Sequence, residues 1–383
     1  MDKDKIFMFR ALELAARGRY GAHPNPLVGA VIVKKGRIIG EGAHLRFGGP
    51  HAEINALRGC AASPQGAALY VTLEPCSTYG KTPPCTQALI KAGLKRVVIG
   101  VPDPNPANSG KAAGLLRRAG LKVKTGTLAK ECAALNPAFN KFMRTGLPFV
   151  TLKAAQSLDG KTADAAGRSR WISGPAARLE THKLRAEADA VLAGIGTVLS
   201  DDPLLNVRGM AIRRQPWVVA LDSSLRAPPL ARIFKNERVI AAVTRRAPVA
   251  AMKRLKPGVK ILVLPSDGGG RVSLPALLKE LGVFGVAHLF VEGGGKVLGS
   301  FISEGLADRF ICFSSPLIIG GTASKSPVVW PDALNLKRKK LGVRIKREFE
   351  GERNFSLILL DTVELCRFAP PRQGVEENPA PGT

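Results

Sequence analysis

Two stretches decide how the first half of this chain is read: Pro50-His51-Ala52-Glu53-Ile54-Asn55-Ala56-Leu57, and Leu73-Glu74-Pro75-Cys76-Ser77-Thr78-Tyr79-Gly80-Lys81-Thr82-Pro83-Pro84-Cys85. The first opens a helix that runs through HAEINALRGC. The second begins where the apolar run ALYVTLE ends, as a buried strand would, and leads into PCTQALIKAG, which has helical spacing. Strand ends and helix starts therefore gather His51, Glu53, Cys76 and Cys85 at element junctions.

One imidazole and two thiolates make three zinc ligands and leave the fourth tetrahedral position open for water, as a catalytic site requires. Glu53 can then move a proton without binding the metal. Taken singly, a His-x-Glu is more often a surface pair, and two cysteines are more often small core residues. A structural zinc with a fourth ligand is the competing reading, and His44 is the other histidine nearby.

Outward from these stretches, helix and strand signals alternate. DKIFMFRALELAARG has helical spacing, VGAVIVKKGRIIGEG reads as a hairpin turning at Lys35-Gly36, and KRVVIGV is a strand. SGKAAGLLRRAG and LKVKTG add a helix and a strand, and one last helix is expected over 129–144. Such alternation predicts a three-layer α/β domain. Gly146 and Pro148 break the pattern before the strand PFVTLKAA, which places a domain boundary near Gly146. The expected division is a first domain over 1–145, a second over 146–366 and a disordered Pro-rich tail over 367–383. Strands in the second half are ADAVLAG, PWVVALD, RVIAAVT, VKILVLP, AHLFVEGG and RFICFSS, separated by helical segments such as GPAARLETHKLRAEA and SLPALLKELG. This half is again α/β.

A chain of 383 residues that is 45% hydrophobic and 23% charged is ordinary globular material, long enough for two domains. No apolar run suits a signal peptide or a membrane span, so a cytoplasmic protein with no membrane partner is expected. Six cysteines are too sparse for a disulfide scaffold. The net charge of +27 attracts nucleic acid, acidic surfaces and phosphorylated small molecules alike, and selects none of them.

The order His-x-Glu, then Pro-Cys, then Cys resembles the cytidine-deaminase-like zinc hydrolases. The spacer STYGKTPP, together with HPNPLVGAVIV from His23, GEGAHLRFGGPHAE and VPDPNP, resembles the N-terminal domain of the bifunctional riboflavin-biosynthesis deaminase/reductase family. LKAAQSLDGKTA, SRWISG, GIGTVLSDDPLLNVR and FVEGGGKVLGSFI follow in the order of that family's reductase domain, a dihydrofolate-reductase-like fold. The resemblance implies zinc-dependent deamination of a diaminopyrimidinone carrying a ribosylamino 5′-phosphate, then NADPH reduction of the ribosyl group to ribityl.

By position the resemblance assigns His51, Cys76 and Cys85 to zinc, Glu53 to proton transfer, and Asn25, His44, Lys81, Asp103 and Asn105 to the deaminase substrate. Asn25 and Asp103 flank prolines, so turn capping is their plainer role. Thr78 stands where the family usually has histidine. Ala155, Trp171, Thr197, Asp201 and Gly294, Gly295, Lys296, Val297, Leu298, Gly299 and Ser300 fall at nicotinamide-cofactor positions. Lys153, Ser169, Arg185, Leu205, Arg208 and Glu292 fall at reductase substrate positions. Arg185 and Arg208 suit a sugar phosphate because guanidinium forks match its oxygens, with pairing to Glu180, Glu187 or Asp202 as the alternative. Physically, Gly293-Gly294-Gly295 before a helix suits a pyrophosphate, although a strand-turn-helix junction wants glycine in any case.

Phosphorylated pyrimidines are the expected partners, and a homo-oligomer is expected. A nucleic-acid deaminase using the same zinc site stays open on charge, although 5% aromatic residues offer little for base stacking. A protein whose deaminase half is dead, with Thr78 as its foothold, also stays open. Ammonia release from the free pyrimidine nucleotide separates the first from both rivals.

Overall fold

In the computed structural model, residues 2–79, 83–169 and 172–329 are described, together with the backbone of 343–348 and 356–361. Two compact units emerge, Met1–Phe149 with Pro175–Phe290, and Val150–Gly174 with the described part of Val291–Thr383.

The first sheet of the first unit contains β1 (Gly29–Lys34), β2 (Arg37–Ala43), β3 (Ala68–Leu73), β4 (Arg96–Val101) and β5 (Lys122–Thr125), in spatial order β2-β1-β3-β4-β5. β1 runs antiparallel to β2 and β3, whereas β3, β4 and β5 are parallel. The expected turn at Lys35-Gly36 is present, with positive φ at both residues. Strand alternation sends residues to two faces. Ala30, Ile32, Leu69, Val71, Val97 and Ile99 share a core with residues of α2 (Ala52–Arg58), α3 (Cys85–Lys91) and α4 (Lys111–Arg118). Val31, Val33, Tyr70 and Val98 face α1 (Lys3–Ala16) and Cys132 of α5 (Ala129–Leu135). The domain is therefore three-layered.

Helix α2 lies unusually close to β2. A Cβ on Gly42 would sit 2.2 Å from the Ala52 carbonyl oxygen and 2.3 Å from the Ala56 nitrogen. Glycine there fixes where the helix bearing His51 and Glu53 begins.

The single helix expected over 129–144 is two helices, α5 and α6 (Pro137–Thr145), because Pro137 can neither donate to the ladder nor clear the preceding carbonyl. Asn136 at the break donates to the Leu27 carbonyl at 2.9 Å and accepts from the Leu27 amide at 2.7 Å. The break thus pins the chain next to Asn25.

After β6 (Phe149–Gln156) and α7 (Pro175–Ala186), the first unit holds β7 (Ala190–Gly194), α8 (Ile195–Asp201), β8 (Trp217–Leu221), β9 (Val239–Val243), α9 (Val249–Lys253), β10 (Lys260–Val263), α10 (Leu274–Val283) and β11 (His288–Val291). β7 through β10 form parallel neighbours in chain order. Their core includes Val191, Val218, Val239, Phe234 and Phe290. In the second unit, α11 (Gly295–Ser303) leads to β12 (Arg309–Ser314), which pairs parallel with β6 and antiparallel with β14 (Ser356–Asp361), and β14 pairs with β13 (Val343–Glu348). The sequence did not signal β13, β14, α8 or α9. The expected tail over 367–383 lies outside the described residues. No helix among the described residues is long and apolar enough to cross a membrane.

Candidate active site

His51 is the N-cap residue of α2, Glu53 lies in that helix's first turn, and Cys85 is the first residue of α3. Cys76 follows β3 in the connecting loop. These junctions converge as expected. The Sγ atoms of Cys76 and Cys85 lie 3.5 and 3.3 Å from His51 Nδ1, and all three ligand atoms fall within 4.8 Å of one another.

The Cys85 amide donates to Cys76 Sγ at 3.2 Å. This amide, the Cys85 thiol and His51 hold the Cys76 thiol well below its usual range, and the Cys85 thiol is pushed up in turn. Two sulfurs and an imidazole nitrogen this close fit a zinc ion, which takes cysteines as thiolates and histidine as the neutral ring. Glu53 is 3% exposed, and its carboxyl is pushed upward chiefly by burial. His51 is raised, first by its bond with Cys76.

Asn25 and His44 are in contact. His44 is buried and faces the Pro50 carbonyl through Nδ1 at 3.0 Å, so Nδ1 carries the proton. Its Nε2 then accepts from Asn25 Nδ2, also at 3.0 Å. Burial lowers the His44 pKa and keeps the ring neutral. The amide oxygen of Asn25 meets no donor among the described residues.

Asp103 and Asn105 are engaged in their own loop. Asp103 accepts from the Asn105 amide at 2.9 Å and from Asn108 Nδ2 at 3.3 Å, while Asn105 accepts from the Ala107 amide at 3.0 Å. Turn capping is thus part of their role, yet Asp103 also lines a cavity of about 490 Å³ with Asn140 and Arg144. Thr78 is exposed and opens on a cavity of about 590 Å³ with Lys111 and Arg118. Lys81 lies outside the described residues.

The organiser of this loop is Glu74, which sequence reasoning passed over. Its buried carboxylate accepts from the amides of Asp103 at 3.0 Å, Gly110 at 2.9 Å and Ala113 at 3.1 Å. The available signal was an acid at the end of a buried strand, directly before Pro75-Cys76.

Among the reductase positions of the first unit, Arg185 donates to the Asn206 carbonyl at 3.0 Å and Arg208 to Asn206 Oδ1 at 3.1 Å, so the two guanidiniums gather on one residue. Burial, then the charges of Arg185 and Arg232, lower the Arg208 pKa. Clustered cations of this kind fit a phosphate. Thr197 and Asp201 belong to the short helix α8, and Leu205 is 3% exposed within the core.

In the second unit, Lys153 and Glu292 form an ion pair at 4.0 Å, and Ala155 lies two residues on along β6. Ser169 is exposed. Gly294 caps α11 in extended conformation, and the amides of Gly295 and Lys296 meet no acceptor among the described residues. Free amides at a helix start fit the pyrophosphate of NADPH. Gly295 is needed for packing as well, since a Cβ there would lie 2.7 Å from the Ser326 carbonyl oxygen. Val297 and Ser300 are half-buried in α11, whereas Leu298 and Gly299 are buried in the fold. Trp171 lies outside the described residues.

Comparison with known proteins agrees with this geometry. Residues 1–101 match the profile of the cytidine and deoxycytidylate deaminase zinc-binding region, and residues 148–345 match the RibD C-terminal domain. The chain is 45% identical over 326 residues to the riboflavin biosynthesis protein RibD of Bacillus amyloliquefaciens, covering 84% of this chain and 87% of the relative. The chain belongs to the bifunctional riboflavin-biosynthesis RibD family. It is 42% identical to Escherichia coli RibD, over 84% of this chain and 90% of the relative. The solved structure of Acinetobacter baumannii RibD superposes with a TM-score of 0.81 at 38% identity, covering 94% of this chain and 99% of that one. A Thermotoga maritima structure, described as a diaminohydroxyphosphoribosylaminopyrimidine deaminase/5-amino-6-(5-phosphoribosylamino)uracil reductase, gives 0.80 at 36% identity, covering 94% and 99%. This RibD-family chain combines a zinc-dependent deaminase (hydrolase) domain of cytidine-deaminase type with a C-terminal NADPH-dependent reductase (oxidoreductase) domain.

Proposed function

We propose that the chain deaminates 2,5-diamino-6-ribosylamino-4(3H)-pyrimidinone 5′-phosphate over residues 1–145 and reduces the ribosyl group of the product to ribityl over residues 146–366. The observation that carries the deaminase step is the convergence of His51 Nδ1 with the sulfurs of Cys76 and Cys85 beside buried, unligated Glu53. The extents of the two profiles, 1–101 and 148–345, support that division of labour.

His51, Cys76 and Cys85 hold the metal; when bound, zinc supplies the Lewis acidity that readies water for attack on the ring carbon. Glu53 takes the water's proton and passes it to the departing amine. Asn25, its amide nitrogen committed to neutral His44, offers its oxygen to a ring N–H or amino group. Asp103, Asn105 and Lys81 complete the substrate wall, with Lys81 as an anion partner.

In the reductase half, NADPH supplies the hydride. Gly294 to Ser300 with Ala155, Trp171, Thr197 and Asp201 seat the cofactor, the free amides at the start of α11 taking its pyrophosphate. Arg185 and Arg208 grip the substrate phosphate, and Lys153, Ser169, Leu205 and Glu292 orient the sugar. Thiol ligands need a reducing compartment, which supports a cytoplasmic location.

The deciding experiment incubates the chain with the diaminopyrimidinone phosphate, with and without NADPH. Ammonia release in both samples and NADPH loss in the second are expected. In Glu53→Gln ammonia release is abolished, while NADPH-linked reduction of supplied deaminated product continues. Persistent ammonia release in that variant would overturn the reading.

A further inference from the structure

Asp189 precedes β7, well outside the deaminase segment, and is 3% exposed. Its carboxylate accepts from the amides of Ala287 at 2.9 Å and His288 at 3.0 Å, and from Arg214 at 3.0 Å. A fourth partner comes from the other half of the chain: His23 Nε2 pairs with Asp189 Oδ1. A buried carboxylate with four donors is a fixed point, because moving any one donor leaves a charge poorly satisfied.

His23 lies two residues before Asn25 in His23-Pro24-Asn25-Pro26, where both prolines restrict the backbone. The position of the His23 ring is therefore transmitted to Asn25 with little slack. Asn25 in turn donates to His44 at 3.0 Å, and His44 donates to the carbonyl of Pro50, the residue before the zinc ligand His51. The rings of His44 and His51 meet edge to face at 5.4 Å.

We propose that Asp189, a residue of the reductase half, is a positioning residue for the deaminase site, acting through His23 on Asn25. This rests on the assignment of Asn25 and His44 to the deaminase pocket. Asp189 touches neither substrate nor metal. The arrangement also means that the deaminase reaction depends on the second half of the chain being present and folded.

The test uses the full chain and two assays: ammonia release from the diaminopyrimidinone phosphate, and NADPH oxidation with supplied deaminated product. Asp189→Asn keeps an acceptor for the two amides but loses the anionic grip on His23. Its deaminase kcat/KM is expected to fall on the order of 10- to 100-fold, mainly through KM, as misplaced contacts produce. NADPH oxidation and zinc content should match the parent chain. His23→Phe, which leaves the carboxylate in place should Asp189→Asn fail to fold, is expected to show the same loss, and the double variant no more than either single one.

As a control, Arg19→Met breaks the Arg19–Glu187 pair at 3.6 Å, which joins the same two halves through side chains other than Asp189, His23 and Asn25, and is expected to leave deamination intact. Unchanged deamination in both Asp189→Asn and His23→Phe overturns the proposal, as does an equal loss in Arg19→Met or losses that multiply in the double variant. Failure of the Asn25 assignment itself shows differently, as parental deaminase kcat/KM in Asn25→Ala.

Discussion

Replacing Gly42 by alanine should impair deamination while leaving the reductase untouched. The added Cβ would stand 2.2 Å from the Ala52 carbonyl oxygen and 2.3 Å from the Ala56 nitrogen, both backbone atoms that no rotamer change can clear. Ordinary contact begins at 3.4 Å, so α2 must retreat by about 1.2 Å, the difference between 3.4 and 2.2 Å. Catalytic groups tolerate displacement of roughly 0.5 Å, and a 1 Å error costs about 100-fold. Because His51 and Glu53 ride on the start of α2, the retreat carries them away from Cys76 and Cys85. Zinc stoichiometry by atomic absorption should drop, ammonia release should fall roughly 100-fold, and overpacking should cost about 1–3 kcal/mol of stability. NADPH oxidation with supplied deaminated product serves as the internal reference. Full zinc occupancy and parental ammonia release in a folded Gly42→Ala chain would refute the claim that backbone contact at Gly42 sets the site.

Three further outcomes follow from other contacts. Chelation of the metal, or Cys85→Ser, should remove ammonia release and leave NADPH oxidation in place, measured on one preparation before and after zinc is restored. Asp4 accepts from Arg96 at 2.7 and 2.8 Å, from Lys124 at 2.7 Å and from Tyr70 at 3.0 Å, and the Arg96 bond above all holds its carboxyl well below the usual range. Asp4→Asn should therefore cost about 2 kcal/mol at pH 7 in chemical denaturation. A lowered folded pKa gives stability that is complete above the unfolded value of 3.8 and is lost as pH falls below it, so the gap between parent and variant should close in acid and persist at neutral pH. Arg208→Gln should raise KM for the deaminated phosphorylated substrate by about 10-fold, the worth of one charge-assisted hydrogen bond, with KM for NADPH unchanged in steady-state assays.

The convergence of His51, Cys76 and Cys85 was legible because each sits at a strand end or helix start that apolar periodicity marks. The hairpin at Lys35-Gly36 was legible for the same reason. The break at Asn136-Pro137 carried a sequence sign in its proline, but continuous helical spacing on both sides hid it. Strands β13 and β14 were not read from the sequence: charges run through VRIKRE, and the short apolar run within SLILLD suits a helix segment as well as a strand. The roles of Glu74, His23 and Asp189 were hidden for a deeper reason. Their partners are distant backbone amides or lie in the other half of the chain, and no spacing rule reaches across 166 positions. Of the cofactor stretch, the free amides of Gly295 and Lys296 followed from helix geometry, whereas burial of Leu298 and Gly299 depends on packing that sequence position does not reveal.

Glu74 complicates how losses of activity in this segment are interpreted. Its carboxylate clamps the amides of Asp103 and Gly110 in the loop and of Ala113 in α4, so its replacement is expected to lower ammonia release much as loss of Glu53 does, with no part in proton transfer. Screens that score turnover alone will therefore group scaffold with chemistry, and an inhibitor or redesign aimed at every sensitive carboxylate will spend half its effort on one that holds the mould and never touches the casting.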